Sequence, residues 1–341
     1  QVDVGGLVAS TANVSNADFM AGRLNFTHPG RPGAAVVNEG RITVADGGLA
    51  ALVGRTVANR GVIEARLGTV ALAGGDAFVL DLYGDRLVNL VVDPAALATL
   101  TDAEGVPLAA RVDQQGRIHA DGGVVQLAAA TVSRLVDSLI NVGGTVRATS
   151  FEQQPGRIVL RGDEGTKLNL AGSVDVSGVY GGRIEATAGR VQLASNAHLD
   201  ARGDLGGGGI AVGGEWQGGG DLPNAKQVDV AQGASLDASA RQRGDGGTVV
   251  VWSDGDTRFD GRIAASGGLA GGDGGQVEVS GRQRLGFDGD VIAAAGAAGG
   301  RAGMLLLDPQ NLVIDGSSGS STLPGADTPG DYTVRASAVN R

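Results

Sequence analysis

The chain has 341 residues, no cysteine and a formal net charge of −10. The lack of cysteine excludes disulfides and thiolate metal sites, and the negative charge argues against nucleic acid or an anionic membrane surface as the principal partner. No apolar run is long enough to cross a bilayer as a helix, so membrane insertion is not predicted.

Glycine and small apolar residues dominate the composition. There are 61 glycines, hydrophobic residues make up 42% of the chain, and aromatic residues make up only 3%. A core of Val, Ile, Leu and Ala suits strands better than helices. Short apolar runs separated by glycine suggest strands joined by tight turns, in which glycine supplies a positive φ. The composition therefore favours an all-β protein.

Internal repeats run along most of the chain. Residues 38–42 (NEGRI) recur as 59–63 (NRGVI), and residues 48–52 are answered by 68–72. We assign a third copy to 116–120 with 123–127, and a fourth copy to 182–186 with 189–193. Further along, the repeat settles at 28 residues, in two series: 247–251, 275–279 and 303–307; and 236–239, 263–266 and 291–294.

Each repeat reads as two short strands, a glycine turn and a variable loop. Units of this size cannot bury their own apolar face, so they must stack into a solenoid of about a dozen coils. Stacking places like residues above one another, and Asn38 above Asn59 would form an amide ladder.

Three segments depart from the repeat. Residues 84–115 are predicted to leave the coil as an excursion. Residues 133–141 (SRLVDSLIN) have the spacing of a short outer helix. Residues from 317 onwards are rich in Ser, Gly and Pro and are predicted to form a loop or linker.

Several phrases in order along the chain resemble the filamentous haemagglutinin-like exoproteins, the large secreted adhesins of two-partner secretion in Gram-negative bacteria. The phrases are VGGLVAST (4–11), VVNEGRI (36–42), GTVALAGGD (68–76), GGEWQG (213–218), TVVVWSDG (248–255) and LLDPQNL (306–312). Asn-Pro-Asn motifs, which the family's secretion domain carries, are not found in this chain.

The resemblance implies a right-handed parallel β-helix that an outer-membrane two-partner-secretion transporter exports. It implies that residues 1–150 form the back part of the secretion domain, 151–315 the first stem repeats, and 316–341 a linker to a downstream region. The expected function is a rigid stem on the bacterial cell surface, which displays regions that bind a host-cell or matrix receptor or a glycan. A stem of a contact-dependent toxin-delivery protein is the alternative within the same family.

The candidate ligand contacts lie around the two tryptophans. Trp216 and Trp252 each follow a strand-like run and either pack or form a sugar-stacking platform; packing is favoured because large aromatic side chains are mostly buried. Asp254, Asp256 and Asp260 could bind calcium or act as acid and base. Because Asp-Gly pairs recur at many coil boundaries, turn formation is the favoured role of these acids.

A β-helical polysaccharide lyase or hydrolase is the competing function. Such an enzyme would need acidic and basic residues at matching offsets in adjacent coils, and the sequence suggests that the acids lie in turns without such partners. No nucleophile motif, cofactor-binding motif or metal-binding motif is found. A non-enzymatic role without cofactors is therefore expected.

Overall fold

The computed structural model describes residues 1–28, 30–31, 33–75, 77–80, 88–91, 111–130, 140–297 and 299–309, and the strands Val313–Asp315 and Thr333–Arg335. Regular structure in these ranges is almost entirely β-strand, with one short α-helix, Asn16–Met20, and one 3-10 turn, Trp216–Gly218. Ser15 caps the helix by accepting a hydrogen bond from the Asp18 backbone N–H.

Three long parallel sheets form the faces of the coil. The first face contains Val2–Val4, Arg41–Val44, Val62–Glu64, Arg117–His119, Thr145–Arg147, Ser173–Asp175, His198–Asp200, Ser235–Asp237, Arg262–Ala264 and Asp290–Ile292. The second face contains Leu7–Ser10, Leu49–Gly54, Thr69–Gly74, Val124–Ala129, Arg157–Gly162, Arg183–Thr187, Gly209–Val212, Thr248–Ser253, Gln276–Gly281 and Met304–Leu306. The third face contains Ala35–Asn38, Thr56–Asn59, Val112–Gln114, Ile140–Val142, Lys167–Leu170, Arg190–Leu193, Gln227–Val230, Asp256–Phe259, Arg284–Phe287, Thr333–Arg335 and Val313–Asp315.

The chain visits the first, second and third faces in turn and then begins the next coil. Strands of adjacent coils pair in parallel and in register, as in Leu52 beside Leu72 and Leu72 beside Leu127. Three faces wound in this order form a parallel β-helix, which confirms the predicted solenoid. The pairing continues without a break from Val124–Ala129 to Arg157–Gly162, so one coil stack crosses the proposed boundary at residue 150.

Two details of the repeat prediction are wrong. Each coil has three strands, whereas the sequence suggested two. The third strand was overlooked because the third-face strands vary in sequence from coil to coil. The fourth copy is also displaced by one face: residues 182–186 stack on the second face and 189–193 on the third. The Gly-Arg-Ile/Val pattern misleads here because strands of every face start after a glycine turn.

Aliphatic columns fill the interior of the coil. One column on the second face consists of Leu52, Leu72, Leu127 and Leu160, all almost completely buried. On the first face Ile42, Ile63 and Ile118 stack in the same way. On the third face Phe259 stacks on Phe287 with ring centroids 5.6 Å apart. Each coil thus covers the apolar surface of the next, which is how short strands obtain a common core.

The predicted amide ladder is present and longer than expected. Asn38 Nδ2 donates to Asn59 Oδ1 at 2.8 Å, and Asn59 Nδ2 donates to Gln114 Oε1 at 2.7 Å. Gln114 continues the ladder by donating to the carbonyl oxygen of Gly116. Asn59 and Gln114 are fully buried, so these bonds replace the hydrogen bonds to water that the amide groups of three successive coils would otherwise need.

Replacing Asn59 with alanine should remove the middle of this ladder. The Asn38 amide would keep only its long contact to the Val62 carbonyl oxygen, and the Gln114 oxygen would lose its donor inside the coil. We expect the free energy of unfolding to fall by about 2–3 kcal/mol, measured by urea denaturation. Replacing the half-buried Asn141, whose side chain donates to Asp113 on the outside of the coil, is the control and should cost less than about 1 kcal/mol.

Most turn glycines are required by close packing between coils. A Cβ built on Gly61 would lie 2.0 Å from the Gly40 carbonyl oxygen, and one on Gly116 would lie 2.2 Å from that of Gly61. The expected positive φ is found at Gly47 and Gly122 but not at these stacked positions. The sequence-based reason for glycine is therefore wrong for the stacked columns, where backbone contact between coils decides the residue.

A small antiparallel sheet lies outside the coil. It consists of Leu24–Phe26, Ala77–Leu80 and Val88–Val91, with the second strand in the middle. Phe26 stacks on Phe78 at 4.6 Å, and both pack on the outer side chains of the second face, among them Ala71. This sheet includes part of the predicted excursion.

The predicted limits of the excursion and of the outer helix need correction. Residues 112–114 belong to the third face of the coil, whereas 92–110 lie outside the described residues. Most of the predicted helix, 133–139, also lies outside them, but Ile140 and Asn141 form a third-face strand. In the predicted linker, Thr333–Arg335 is a strand, and its Val334 pairs with Phe287.

Candidate ligand groove

Trp252 is buried on the outside of the coil. It belongs to a second-face strand, and only 6% of its surface is exposed. A loop of residues 213–224, called here the covering loop, crosses the indole: a Cβ on Gly218 would lie 2.5 Å from Trp252 Cε2, and one on Gly214 would lie 2.8 Å from Cδ1. The favoured prediction of packing is confirmed for Trp252, although the ring fills an outer pocket and not the interior of the coil.

The covering loop is fastened at both ends by polar contacts. Glu215 Oε1 accepts from Arg183 at 2.5 Å, and its Oε2 accepts from the backbone N–H groups of Asp221 and Leu222. In the middle, Gln217 adopts a left-handed φ of 54°, which a non-glycine residue rarely adopts. Its backbone N–H donates to Glu278 Oε2 at 2.8 Å.

The structure does not bring the four predicted ligand contacts together at one point. Asp254 Oδ1 accepts from Trp252 Nε1 and from Asn224 Nδ2, both at 3.2 Å, and so ties the indole to the covering loop. Trp216 is half-buried in the 3-10 turn of the loop. Asp256 forms an ion pair with Arg284, in register on the next coil. Direct ligand contact by these four residues stays a prediction.

Acidic residues pair with arginine of neighbouring coils more often than the sequence indicated. Besides Asp256 with Arg284, the coil-to-coil pairs include Asp46 with Arg66, Asp121 with Arg147, and Asp273 with Arg301. The predicted absence of acid and base partners at matching offsets in adjacent coils is therefore wrong. Asp121 and Asp273 also accept backbone N–H bonds from the adjacent coil, so these acids link coils as well as shape turns.

Two buried glutamates on the outer side of the second face, Glu185 and Glu278, have pKa values shifted in opposite directions. Burial alone would raise the pKa of Glu185, but hydrogen bonds from Arg157 and Arg183 outweigh it and lower the pKa below the ordinary value. Burial raises the pKa of Glu278, whose contacts are the Gln217 N–H and the Ser280 hydroxyl. Neither residue belongs to a recognisable motif; the one sign of each in the sequence is an acid within a largely apolar strand.

An open groove of about 860 Å³ runs along the third face beside the covering loop. Its walls carry Lys167, Arg190, Asn224, Lys226, Gln227 and Asp256. The groove continues past Asn224, Asp254 and Gln283 to a second depression of about 940 Å³ next to Trp252. The residues that line it are polar or glycine with few exceptions, so it offers hydrogen bonds and charge more than apolar contact.

No cluster of metal ligands is found among the described residues. The three aspartates that suggested calcium are directed to different partners: Asp254 to Trp252 and Asn224, Asp256 to Arg284, and Asp260 to Arg258. Likewise, none of the helices in the described ranges is long and apolar enough to cross a membrane.

Comparison with known proteins adds a structural relative. The chain is similar to the crystal structure of the HMW1 secretion domain from Haemophilus influenzae, with a TM-score of 0.69 and 25% sequence identity. The alignment covers 90% of this chain and 75% of that chain. No protein-family model matches the chain, and no curated protein matches it. The structural likeness confirms the resemblance to two-partner secretion exoproteins that the sequence phrases indicate.

Proposed function

We propose that the chain contains part of the secretion domain and the first repeats of the stem of an adhesin-type exoprotein that an outer-membrane two-partner-secretion transporter exports. The observation that carries the proposal is the likeness to the HMW1 secretion domain over 90% of the chain. The phrases in the sequence point to the same class independently. The protein is then a secreted protein of a Gram-negative cell surface, and the division at residue 150 between secretion domain and stem is part of the proposal.

The coil stack is suited to a mechanical role. Hydrogen bonds join each coil to the next on all three faces, and one continuous aliphatic core runs through the stack. Unfolding any coil exposes the cores of its neighbours, which makes such a stack stiff and cooperative. A stiff rod can hold a receptor-binding region away from the cell, the display role that we propose for the stem.

A non-enzymatic role is supported by the state of the candidate acids. Asp256 is neutralised by Arg284, and Asp254 is engaged by Trp252 and Asn224. An acid–base pair would need carboxyl groups that face one reacting bond.

Export is tested by placing the 341-residue chain behind a signal peptide in a Gram-negative host. We expect the chain to appear in the medium when a two-partner-secretion transporter is co-expressed, and to stay in the periplasm with an unrelated outer-membrane protein. A panel of such transporters, including the one that exports HMW1, allows for transporter specificity. The proposal would be wrong if the folded chain reached the medium equally well without a transporter. It would also be wrong if no transporter of the panel exported the chain.

A further inference from the structure

The middle of the covering loop rests on a buried carboxyl group. Its 3-10 turn, Trp216–Gly218, packs on two second-face strands, and one of them carries Glu278, which is fully buried. Glu278 Oε2 accepts the backbone N–H of Gln217 at 2.8 Å, and its Oε1 accepts the hydroxyl of Ser280 at 2.9 Å. The bond from Gln217 therefore joins the middle of the loop to the coil.

The elements beside Glu278 supply no base to pair with it. The strands of the adjacent coils place Val250 and Leu306 next to it in register, and both are apolar. The covering loop carries two acids, Glu215 and Asp221, and no base. A negative charge on Glu278 is thus surrounded by apolar groups and other acids while the loop is closed.

The charged residues nearest in sequence to this strand do not compensate the charge either. Arg282 follows the strand but is exposed in the depression beside Trp252. Asp308 acts on Glu278 as a like charge. Burial first, and then Asp308, raise the pKa of Glu278, although the two hydrogen bonds oppose this shift. The ionised carboxyl group is therefore unfavourable under the closed loop.

The closed loop also contains strained backbone. Gln217 has a φ of 54°, in the left-handed region that non-glycine residues rarely adopt. The glycines that follow, Gly218 and Gly220, also have positive φ, and Gly218 lies so close to the indole of Trp252 that a side chain there would overlap it. Opening the loop would relieve the strain at Gln217 and hydrate Glu278, and it would expose the indole.

We propose that the covering loop opens between its two anchored ends when Glu278 loses its proton, and that opening uncovers the indole of Trp252. The anchors are the ion pair of Glu215 with Arg183 and the bond of Asn224 to Asp254. A protonated Glu278 still offers an oxygen to the Gln217 N–H, so the neutral form keeps the loop closed.

The direction of the effect follows from linkage. The carboxylate is hydrated in the open loop and desolvated in the closed loop, so ionisation shifts the population towards the open loop. Closure is most favoured at low pH and weakens as the pH rises through the raised pKa of Glu278. Each unit by which the pKa is higher in the closed than in the open loop increases the open population about tenfold.

The test is hydrogen exchange of the Trp252 indole N–H, followed by NMR in the 341-residue chain labelled with nitrogen-15 tryptophan. The chain has two tryptophans, so there are two indole signals, and Trp216→Phe assigns them. The exchange rate, divided by that of N-acetyltryptophanamide in the same buffer, reports the open population. We expect this ratio to rise about fivefold or more between pH 5 and pH 8.

Three variants separate Glu278 from other titrating groups. Glu278→Gln keeps an acceptor for the Gln217 N–H but cannot ionise, so its ratio should stay low across this range. Asp308→Asn removes the like charge and should make the rise smaller. Glu64→Gln changes a half-buried carboxyl group on the first face and is the matched control, which should behave like the unsubstituted chain.

Equal ratios at pH 5 and pH 8 in the unsubstituted chain would overturn the proposal, as would an undiminished rise in Glu278→Gln. A rise accompanied by loss of the β-sheet circular dichroism signal would also overturn it, because the stack and not the loop would then be opening. The measurement uses purified protein, so its outcome is independent of whether a transporter exports the chain.

Discussion

Replacing Gly116 with alanine is expected to lower the free energy of unfolding by about 3 kcal/mol or more. The new Cβ would lie 2.2 Å from the carbonyl oxygen of Gly61 and 2.7 Å from the carbonyl carbon of Arg60. Both are backbone atoms held by hydrogen bonds to the adjacent coils, so neither can move without displacing a coil. The measurement is urea denaturation followed by circular dichroism.

The matched control is Gly40→Ala, at the first position of the same glycine column. A Cβ at Gly40 has a single neighbour, the Asn38 side-chain oxygen, at 4.0 Å. This variant should change the free energy of unfolding by less than about 1 kcal/mol. Equal losses at Gly40 and Gly116 would show that chain flexibility, and not contact between coils, explains glycine at these turns.

Glu185→Gln and Glu278→Gln should change stability in opposite directions at neutral pH. The pKa of Glu185 is lowered from 4.5, so its contribution is fully present above pH 4.5 and is lost as the pH falls through the lower folded value. Glu185→Gln should therefore lose about 2 kcal/mol at pH 7, since the half-exposed Arg157 and Arg183 lose a buried partner. Below pH 4.5 the difference from the unsubstituted chain should shrink.

The pKa of Glu278 is raised from 4.5, so the folded state holds its proton to higher pH than the unfolded chain does. The contribution of Glu278 to the free energy of unfolding is therefore most favourable below pH 4.5, and it falls as the pH rises through the higher folded pKa. Glu278→Gln removes this ionisation and keeps an oxygen for the Gln217 N–H. It should be more stable than the unsubstituted chain at pH 7, on the order of 1 kcal/mol, and similar to it at pH 4.

Urea titrations of both glutamine variants between pH 4 and pH 8 test this pair of expectations. A loss of stability at neutral pH for both variants would contradict the assignment of Glu278 as an uncompensated buried carboxyl. A gain for both would contradict the role of Arg157 and Arg183 in holding Glu185.

The stacked coil could be predicted from the sequence because its determinants are local and repeated. Leu52 over Leu72 and Asn38 over Asn59 are visible as recurring phrases. The third-face strands could not be found in this way, since their outward residues, such as Lys167, Arg190 and Gln227, differ from coil to coil.

Apart from part of the predicted excursion, the sequence did not indicate which elements cover the outside of the coil, although the strands themselves carry a signal. The strands Leu49–Gly54, Thr69–Gly74 and Thr248–Ser253 are apolar on both sides, which a coil strand does not need unless another element covers its outer side. In the structure the antiparallel sheet covers the first two, and the covering loop covers Trp252 in the third. The groove itself depends on residues far apart in sequence, so only the stacking order could bring Lys167 and Lys226 together.

The proposed display role and the groove both depend on one continuous stack of coils, and a distance between two spin labels tests that stack most directly. The chain has no cysteine, so Arg41→Cys/Arg262→Cys provides two unique and exposed attachment sites. Both residues begin first-face strands and are connected by seven strand-to-strand steps. At ~4.8 Å a step, a pulsed electron–electron double resonance experiment should give one peak near 34 Å. A short distance, or a distribution as broad as that of independently moving halves, would contradict the stack and the groove built on it.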